Sequence, residues 1–258
     1  MDNDDKQIGR ILTRREAVAI LGAAGASLLT GCSPGQSSAA NTSANASAAG
    51  QTSTASNAIP GCVVRPEQTE GPYFVDEKLN RSDIRSDPSD GTVKGGIPLE
   101  LTFAVSQLGT GSCTPISGAI VDVWHCDADG VYSDVQDPSF NTRGKKYLRG
   151  YQVTDAAGKA KFTTIYPGWY RGRAVHIHFT VRTNAAGSSG HQFTSQIYFD
   201  DAQNDEVFSK PPYAARGKGQ IRNAQDGIFR DGGTQLVMAV KPNGSGYAGT
   251  FDLAMQTA

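Results

Sequence analysis

The sequence predicts an all-β domain of the antiparallel β-sandwich class, with long active-site loops. Many short segments alternate between apolar and other residues, and Gly, Asn, Asp and Pro separate them. No long segment repeats with the period of an amphipathic helix. The chain has 30 glycines among its 258 residues, which suits many tight turns. Short strands separated in this way are typical of a sandwich.

The first 32 residues predict an export signal rather than part of the fold. Arg14 and Arg15 resemble a twin-arginine signal, a small apolar run from Ala19 to Leu29 follows, and a lipobox-like end reaches Cys32. The alternative is a short buried helix, since the run is too short to span a bilayer. We therefore expect lipidation at Cys32 and an exported, extracytoplasmic protein whose only membrane contact is this N-terminal anchor.

Residues 33–58 predict a flexible tether between the anchor and the folded domain. They consist of Ser, Ala, Asn, Thr, Gly and Gln with almost nothing larger that is apolar. Such a segment buries too little surface to offset its ordering entropy. The folded domain is therefore expected to span residues 59–258.

The strands of this domain follow from alternation of apolar residues with period two. Asp155–Gly158 marks a hairpin between two of them, and residues 200–233 form a long loop with one helical turn at Asp205–Phe208. Loops of that length are more often functional than accidental. The predicted strands are Ile97–Val105, Ile116–Cys126, Leu148–Thr154, Lys159–Thr164, Ala174–Val181, Phe193–Phe199, Gln235–Lys241 and Gly249–Gln256.

Charge and cysteine content exclude some partners. The net charge is −1 and the basic residues are scattered, which argues against nucleic acid. The four cysteines include no CxxC, so a zinc knuckle is not indicated. In an oxidising compartment one disulfide can form among Cys62, Cys113 and Cys126, and the sequence leaves the pairing open.

Residues Ala174–Val181 carry the main candidate site. Val175, Ile177 and Phe179 occupy one side of the predicted strand, and His176 and His178 leave the other side together. Taken alone, two histidines on a strand are more often a polar face than a ligand pair. As ligands, two imidazoles suit zinc, copper, nickel or iron.

Tyr132 and Tyr170 lie on predicted turns and add two phenol oxygens to the candidate site. A phenol is protonated near neutral pH, so it is a poor ligand for most divalent ions. A trivalent cation stabilises the phenolate. Two tyrosines with two histidines therefore favour ferric iron over zinc, although each tyrosine alone is more often a half-buried structural residue.

The four candidate ligands lie in three longer motifs, Trp124–Tyr132, Thr164–Tyr170 and Arg173–Phe179. Together these motifs resemble the intradiol ring-cleavage dioxygenases, the group that contains protocatechuate 3,4-dioxygenase and catechol 1,2-dioxygenase. Shorter segments, Thr69–Tyr73 and Gln196–Phe199, also match, and the resemblance covers residues 62–258. It implies that Tyr132, Tyr170, His176 and His178 bind one non-haem Fe(III).

The resemblance also implies a reaction. A catechol-type substrate would bind the ferric ion, Tyr170 would leave it, and O2 would open the ring between the hydroxyl-bearing carbons to give a muconate-type diacid. Arg173 would stabilise negative charge beside the ring, and Gln196 would orient Arg173. The resemblance further assigns the lining of the substrate pocket to Gly71, Pro72 and Tyr73.

Other interpretations stay open at this stage. A noncatalytic cell-surface binding module would explain the sandwich but not the Tyr and His set. A zinc or copper hydrolase would use the two histidines but has no acidic residue near them in sequence. His125 and His191 match no role and are taken as structural or solvated. The sequence allows a homo-oligomer without predicting its size.

Overall fold

Most of the predicted domain is covered by the structure, a computed structural model that describes residues 63–109, 112–183, 190–217 and 219–256. The predicted signal, the tether and Cys32 lie outside these residues. Within these residues the α-helices are α1 (Asp201–Phe208) and α2 (Gly227–Arg230), and short 3-10 helices span Tyr213–Arg216, Asn223–Gln225 and Gly233–Gln235. The strands are β1 (Pro98–Gly109), β2 (Ser112–Pro115), β3 (Ile120–Trp124), β4 (Gln136–Asp137), β5 (Phe140–Asn141), β6 (Arg149–Val153), β7 (Lys159–Ile165), β8 (His176–Thr183), β9 (His191–Tyr198), β10 (Val240–Asn243) and β11 (Gly246–Met255).

The strands form two main sheets and one small hairpin, β4–β5. The first sheet has the order β10-β11-β1-β2, with β7 also paired to β1, and the second has the order β6-β3-β8-β9. Among the described strands, β1 and β11 pair in parallel, and the other pairs are antiparallel. The first and last long strands can pair in parallel because the rest of the domain connects them. The predicted all-β sandwich is confirmed, with this one parallel pair as a difference.

Strand β8 separates the core from the candidate site. Its residues Ile177, Phe179 and Val181 are fully buried in the apolar core. The ring centroids of Phe179 and Phe103, which lies on β1 of the first sheet, are 5.1 Å apart. The predicted alternation therefore places His176 and His178 on the face of β8 that points away from the core.

The N-terminal segment of the described domain crosses the second sheet and covers that face. The Gln68 amide donates to Thr194 O at 3.0 Å, and Ser195 Oγ donates to Pro66 O at 2.8 Å. Gln196 Nε2 donates to Thr69 O at 3.0 Å. These bonds fix the start of the segment that carries residues 71–73 beside β8 and β9.

The chain between β9 and β11 differs from the sequence prediction. The single helical turn expected at Asp205–Phe208 is the second half of α1, and α2 lies in the same loop. The strand predicted at Gln235–Lys241 is wrong over most of its length, because β10 begins only at Val240 and Val237 makes one isolated bridge. Leu236 and Met238 are buried without a ladder, so burial alone explains their alternation.

Two of the described cysteines differ in their redox state. Cys113 is disulfide-bonded, whereas Cys126 is a free and buried thiol whose Sγ donates to Gly168 O at 3.3 Å.

In the described part of the chain, no helix has both the length and the apolar character needed to cross a bilayer.

Candidate metal centre and substrate pocket

Three donor atoms meet on the outer face of β8. His176 Nε2 lies 2.9 Å from His178 Nε2 and 3.1 Å from the Tyr132 hydroxyl. The three residues are at most 3% exposed. β8 carries the two histidines, and the turn after β3 carries Tyr132, so two separate parts of the sheet supply the cluster.

The surroundings of the two imidazoles keep both rings neutral and leave a nitrogen lone pair of His176 at this point. His176 Nδ1 donates to Ala174 O at 2.6 Å, which makes Nε2 the lone-pair nitrogen. The His178 ring stacks on Trp124, its cross-strand partner, at 5.1 Å and 5°. Burial lowers the pKa of His176 to about 3 and that of His178 well below its usual value. Both rings are therefore neutral, which is the form that binds metals.

The spacing of these donors fits one metal ion. Bonds of about 2.1 Å that meet near right angles separate two donor atoms by about 3 Å, close to the observed 2.9 and 3.1 Å. Within the described residues, no group of three or more His, Cys, Asp and Glu side chains could hold a metal. The third donor atom at this point is the phenol oxygen of Tyr132.

Tyr170 lies beside this cluster, but its hydroxyl bonds elsewhere. Its ring centroid is 5.7 Å from that of Tyr132. Its hydroxyl is 2.5 Å from the Tyr73 hydroxyl and donates to Asp137 Oδ2 at 3.0 Å. Tyr73 also donates to Asp137. The structure therefore joins Tyr132, His176 and His178 through their donor atoms, and it places Tyr170 next to them in a separate hydrogen-bonded group.

Arg173 is held in place just before β8. Its Nη2 donates to Gln196 Oε1 at 2.6 Å and to the Tyr198 hydroxyl at 3.3 Å, and its Nε lies 3.0 Å from Asp226 Oδ2. The same Asp226 oxygen accepts a bond from the Ala174 amide at 2.7 Å. The arrangement agrees with the predicted Arg173–Gln196 contact, and the catalytic role of Arg173 stays a prediction.

The segment assigned to the pocket by resemblance lies against the cluster. Gly71 has a φ of +73°, and a Cβ built on it would lie 3.0 Å from His178 Cε1. Tyr73 packs on Tyr132 with ring centroids 4.8 Å apart. Pro72 is exposed on the turn between them. Gly71 and Tyr73 therefore contact the proposed ligands, whereas Pro72 faces outward.

An open cavity of about 740 Å³ ends at Tyr170. Its lining includes Asp137, Phe140, Trp169, Arg171 and Arg216. Tyr132 and the two histidines are buried behind it and do not line it. Of the four predicted ligands, Tyr170 is therefore the one that lines this cavity.

Three polar residues of the site were not identified from the sequence. Asp137 binds both Tyr73 and Tyr170, Asp226 binds Arg173, and Tyr198 donates to Gln68 and Gln196. Asp226 precedes Gly227 and caps α2, so the helix-start pattern was an available signal. No comparable local pattern marks Asp137, because its partners are 33 and 64 residues away in sequence.

The comparison with protein families agrees with this geometry. A family model described as "Dioxygenase" matches residues 69–230, which is more than half of the chain. The chain therefore belongs to this dioxygenase family. The intradiol resemblance predicted from its motifs is supported by the similar proteins described next.

A similar solved structure is an intradiol ring-cleavage dioxygenase from Tetranychus urticae. It has a TM-score of 0.64 and 32% identity, and the match covers 76% of this chain and 95% of that one. Catechol 1,2-dioxygenase 1 of Acinetobacter lwoffii is 26% identical over 195 residues, 64% of this chain and 58% of that enzyme. The protocatechuate 3,4-dioxygenase beta chain of Burkholderia cepacia is 30% identical over 159 residues, 57% of this chain and 66% of that one.

Proposed function

We propose that this protein is a non-haem Fe(III) dioxygenase that cleaves a catechol-type ring between its two hydroxyl-bearing carbons with O2, giving a muconate-type diacid. The observation that carries the proposal is the buried meeting of one phenol oxygen with two neutral imidazole nitrogens, at 3.1 and 2.9 Å. Membership of the dioxygenase family and the similar intradiol enzyme support the reaction type.

Four side chains would hold the ion. His176, His178 and Tyr132 provide the converging donors, and Tyr170 would be the fourth ligand. Bound Fe(III) supplies the Lewis acidity that chelates both oxygens of a catechol and polarises the ring toward O2. The burial of the three converging donors excludes water from their side of the site, which strengthens electrostatic interactions there.

Tyr170 is suited to exchange with a substrate. It is half-buried in the lining of the cavity, whereas the other three donors are fully buried. As a phenolate, its oxygen would accept a proton from a substrate hydroxyl. The resulting phenol would stay where the structure shows it, bonded to Tyr73 and Asp137. The residue would thus act as a base and leave room for the substrate.

Arg173 would stabilise negative charge on the reacting ring. Gln196 and Asp226 hold its guanidinium in one orientation, so little reorganisation is needed when charge develops. Its side chain is 13% exposed, which keeps its charge poorly screened by water. The cavity offers Phe140 and Trp169 for ring packing and has room for ring substituents.

The test is to load the metal-free protein with ferric ion and follow both colour and product. Tyrosinate bound to Fe(III) absorbs visible light by charge transfer, so the loaded protein should be burgundy. A panel of catechols should then give ring-opened acids, seen by ultraviolet absorption. A protein that stays colourless after ferric loading would support the noncatalytic binding module. Hydrolytic activity of the protein loaded with zinc or copper alone would support a hydrolase.

We also propose that the protein is exported and tethered by a lipid on Cys32. Arg14 and Arg15, the short apolar run and the residues up to Cys32 support this. An Arg14→Lys, Arg15→Lys double variant should stay in the cytoplasm, whereas a Cys32→Ala variant should lose the lipid. Unchanged fractionation of the first variant would refute twin-arginine export.

A further inference from the structure

Arg149, the first residue of β6, is a buried cation with only neutral hydrogen-bond partners. It is 2% exposed. Its Nε and Nη2 donate to Ser133 O at 3.2 and 2.6 Å, and its Nε donates to Ser133 Oγ at 2.9 Å. Its Nη1 is buried and has no partner within the described residues. No ion pair among those residues includes Arg149.

A charge in this position needs a countercharge, because burying an unpaired guanidinium is unfavourable. The nearby carboxylates already have partners. Glu77 pairs with Lys146 at 2.6 Å, and Asp134 accepts a bond from the Gly144 amide at 2.6 Å. Glu77 and Asp134 lie near enough to stabilise this charge, and Tyr132 would join them if it were ionised. Tyr132 is also the residue directly before Ser133, which Arg149 binds.

Arg149 is one of several side chains that restrain the backbone at Tyr132 and Ser133. Ser133 Oγ donates to Tyr147 O at 2.6 Å, and Thr142 Oγ1 donates to Tyr132 O at 2.6 Å. The guanidinium binds the Ser133 carbonyl through two of its nitrogens. The turn that carries Tyr132 is therefore tied to β6 by a residue that also brings a positive charge.

We propose that Arg149 is a positioning residue for Tyr132: it fixes the turn after Tyr132 and adds to the buried positive charge that stabilises a tyrosinate ligand there. This rests on the proposed function, because Tyr132 becomes an anion by binding ferric ion. The charge of Arg149 lowers the energy of the tyrosinate electrons. Its removal should therefore reduce the energy of the charge-transfer transition and weaken ferric binding.

The test compares full-length ferric protein with two neutral variants, Arg149→Met and Arg149→Gln, and one charged variant, Arg149→Lys. In the neutral variants the visible band should move to longer wavelength, and ferric affinity, measured by competition with a chelator, should fall about 10- to 100-fold. Arg149→Lys should restore most of the band position. Of the two neutral variants, Arg149→Met should fold more readily, since replacing a buried charge by an apolar residue is often neutral for stability.

Arg81→Gln is the matched control. Arg81 likewise donates to backbone carbonyls, those of Arg149, Ser86 and Lys146, but does not bind the Tyr132 turn. The Arg81→Gln variant should be less stable than wild type and should keep the wild-type visible band. The role of Arg149 would be overturned if the visible band had the same wavelength in wild type and both neutral variants. It would also be overturned if Arg81→Gln showed the same shift. Absence of the band in wild type would instead refute the proposed function, and this inference with it.

Discussion

Two kinds of buried histidine lie close together in this molecule. His125 follows β3 and is 1% exposed, much like His176 and His178 on the neighbouring strand β8. Its Nδ1 donates to Cys126 O at 2.8 Å, and its Nε2 accepts from Thr164 Oγ1 at 2.6 Å. The Nε2 atoms of His176 and His178 instead face each other and the Tyr132 hydroxyl.

The difference shows what distinguishes a structural imidazole from a ligand in this fold. His125 is as deeply buried as His176 and His178. It directly follows Trp124 in sequence, and the His178 ring stacks on the same tryptophan. What differs is that a backbone carbonyl and a threonine hydroxyl bind the two nitrogens of His125, whereas the Nε2 atoms of His176 and His178 face each other beside the Tyr132 hydroxyl. The proposed metal site depends on this convergence of donor atoms.

Removing one strand ligand should have the largest effect. His178→Ala should reduce ferric affinity by more than about 100-fold, since even the loss of a residue that only supports a ligand costs 10- to 100-fold. The matched control is His125→Gln, which removes an equally buried imidazole. It should lose stability but bind ferric ion as wild type does. Chelator competition measures both, and similar losses in the two variants would erase the distinction between them.

Tyr170→Phe should have the next largest effect, on turnover rather than on iron retention. Tyr170 is the half-buried donor at the cavity, so three ligands should remain. Loss of a base in the reaction should slow turnover about 100-fold or more, and the visible band should weaken. Tyr151→Phe, on the edge strand β6, serves as the control. If Tyr170→Phe had wild-type spectrum and rate, the assignment of this ligand would be wrong.

The sequence predicts the arrangement of the two histidines better than it predicts the contacts of the tyrosines. Alternation along Val175–Val181 was enough to place both imidazoles on one face, because strand geometry is local. The contacts of Asp137 with Tyr73 and Tyr170 span up to 64 residues, and no local rule predicts them. The strand predicted at Gln235–Lys241 is wrong over most of its length because Leu236 and Met238 alternate in burial without belonging to a strand.

His125 should make stability sensitive to mild acid. Burial lowers its pKa to about 4 from an ordinary value near 6.5, so the unfolded chain binds more protons between these values. Its contribution is complete above pH 6.5 and is lost as the pH falls toward 4. Between pH 7 and pH 5 we expect wild type to lose about 2 kcal/mol more of unfolding free energy than His125→Gln.

Denaturant unfolding of the two proteins at pH 7 and pH 5 measures this difference. His176, His178 and the carboxylates are common to both proteins, so their contributions cancel in the comparison. Parallel pH dependence in wild type and His125→Gln would show that the buried His125 ring does not carry the effect.

Gly71→Ala should have the smallest effect, and it tests how closely the covering segment fits the ligand side of β8. Its φ of +73° disfavours any side chain, and the added Cβ would lie 3.0 Å from His178 Cε1. Gly118→Ala has a similar φ of +83°, with nothing within 4 Å of the added atom, so it isolates the backbone penalty. Each should lose about 1 kcal/mol of unfolding free energy from that penalty. Only Gly71→Ala should also move His178 and lower ferric affinity, by about tenfold; equal affinities in the two variants would mean that the segment over His178 can shift without disturbing the ligand.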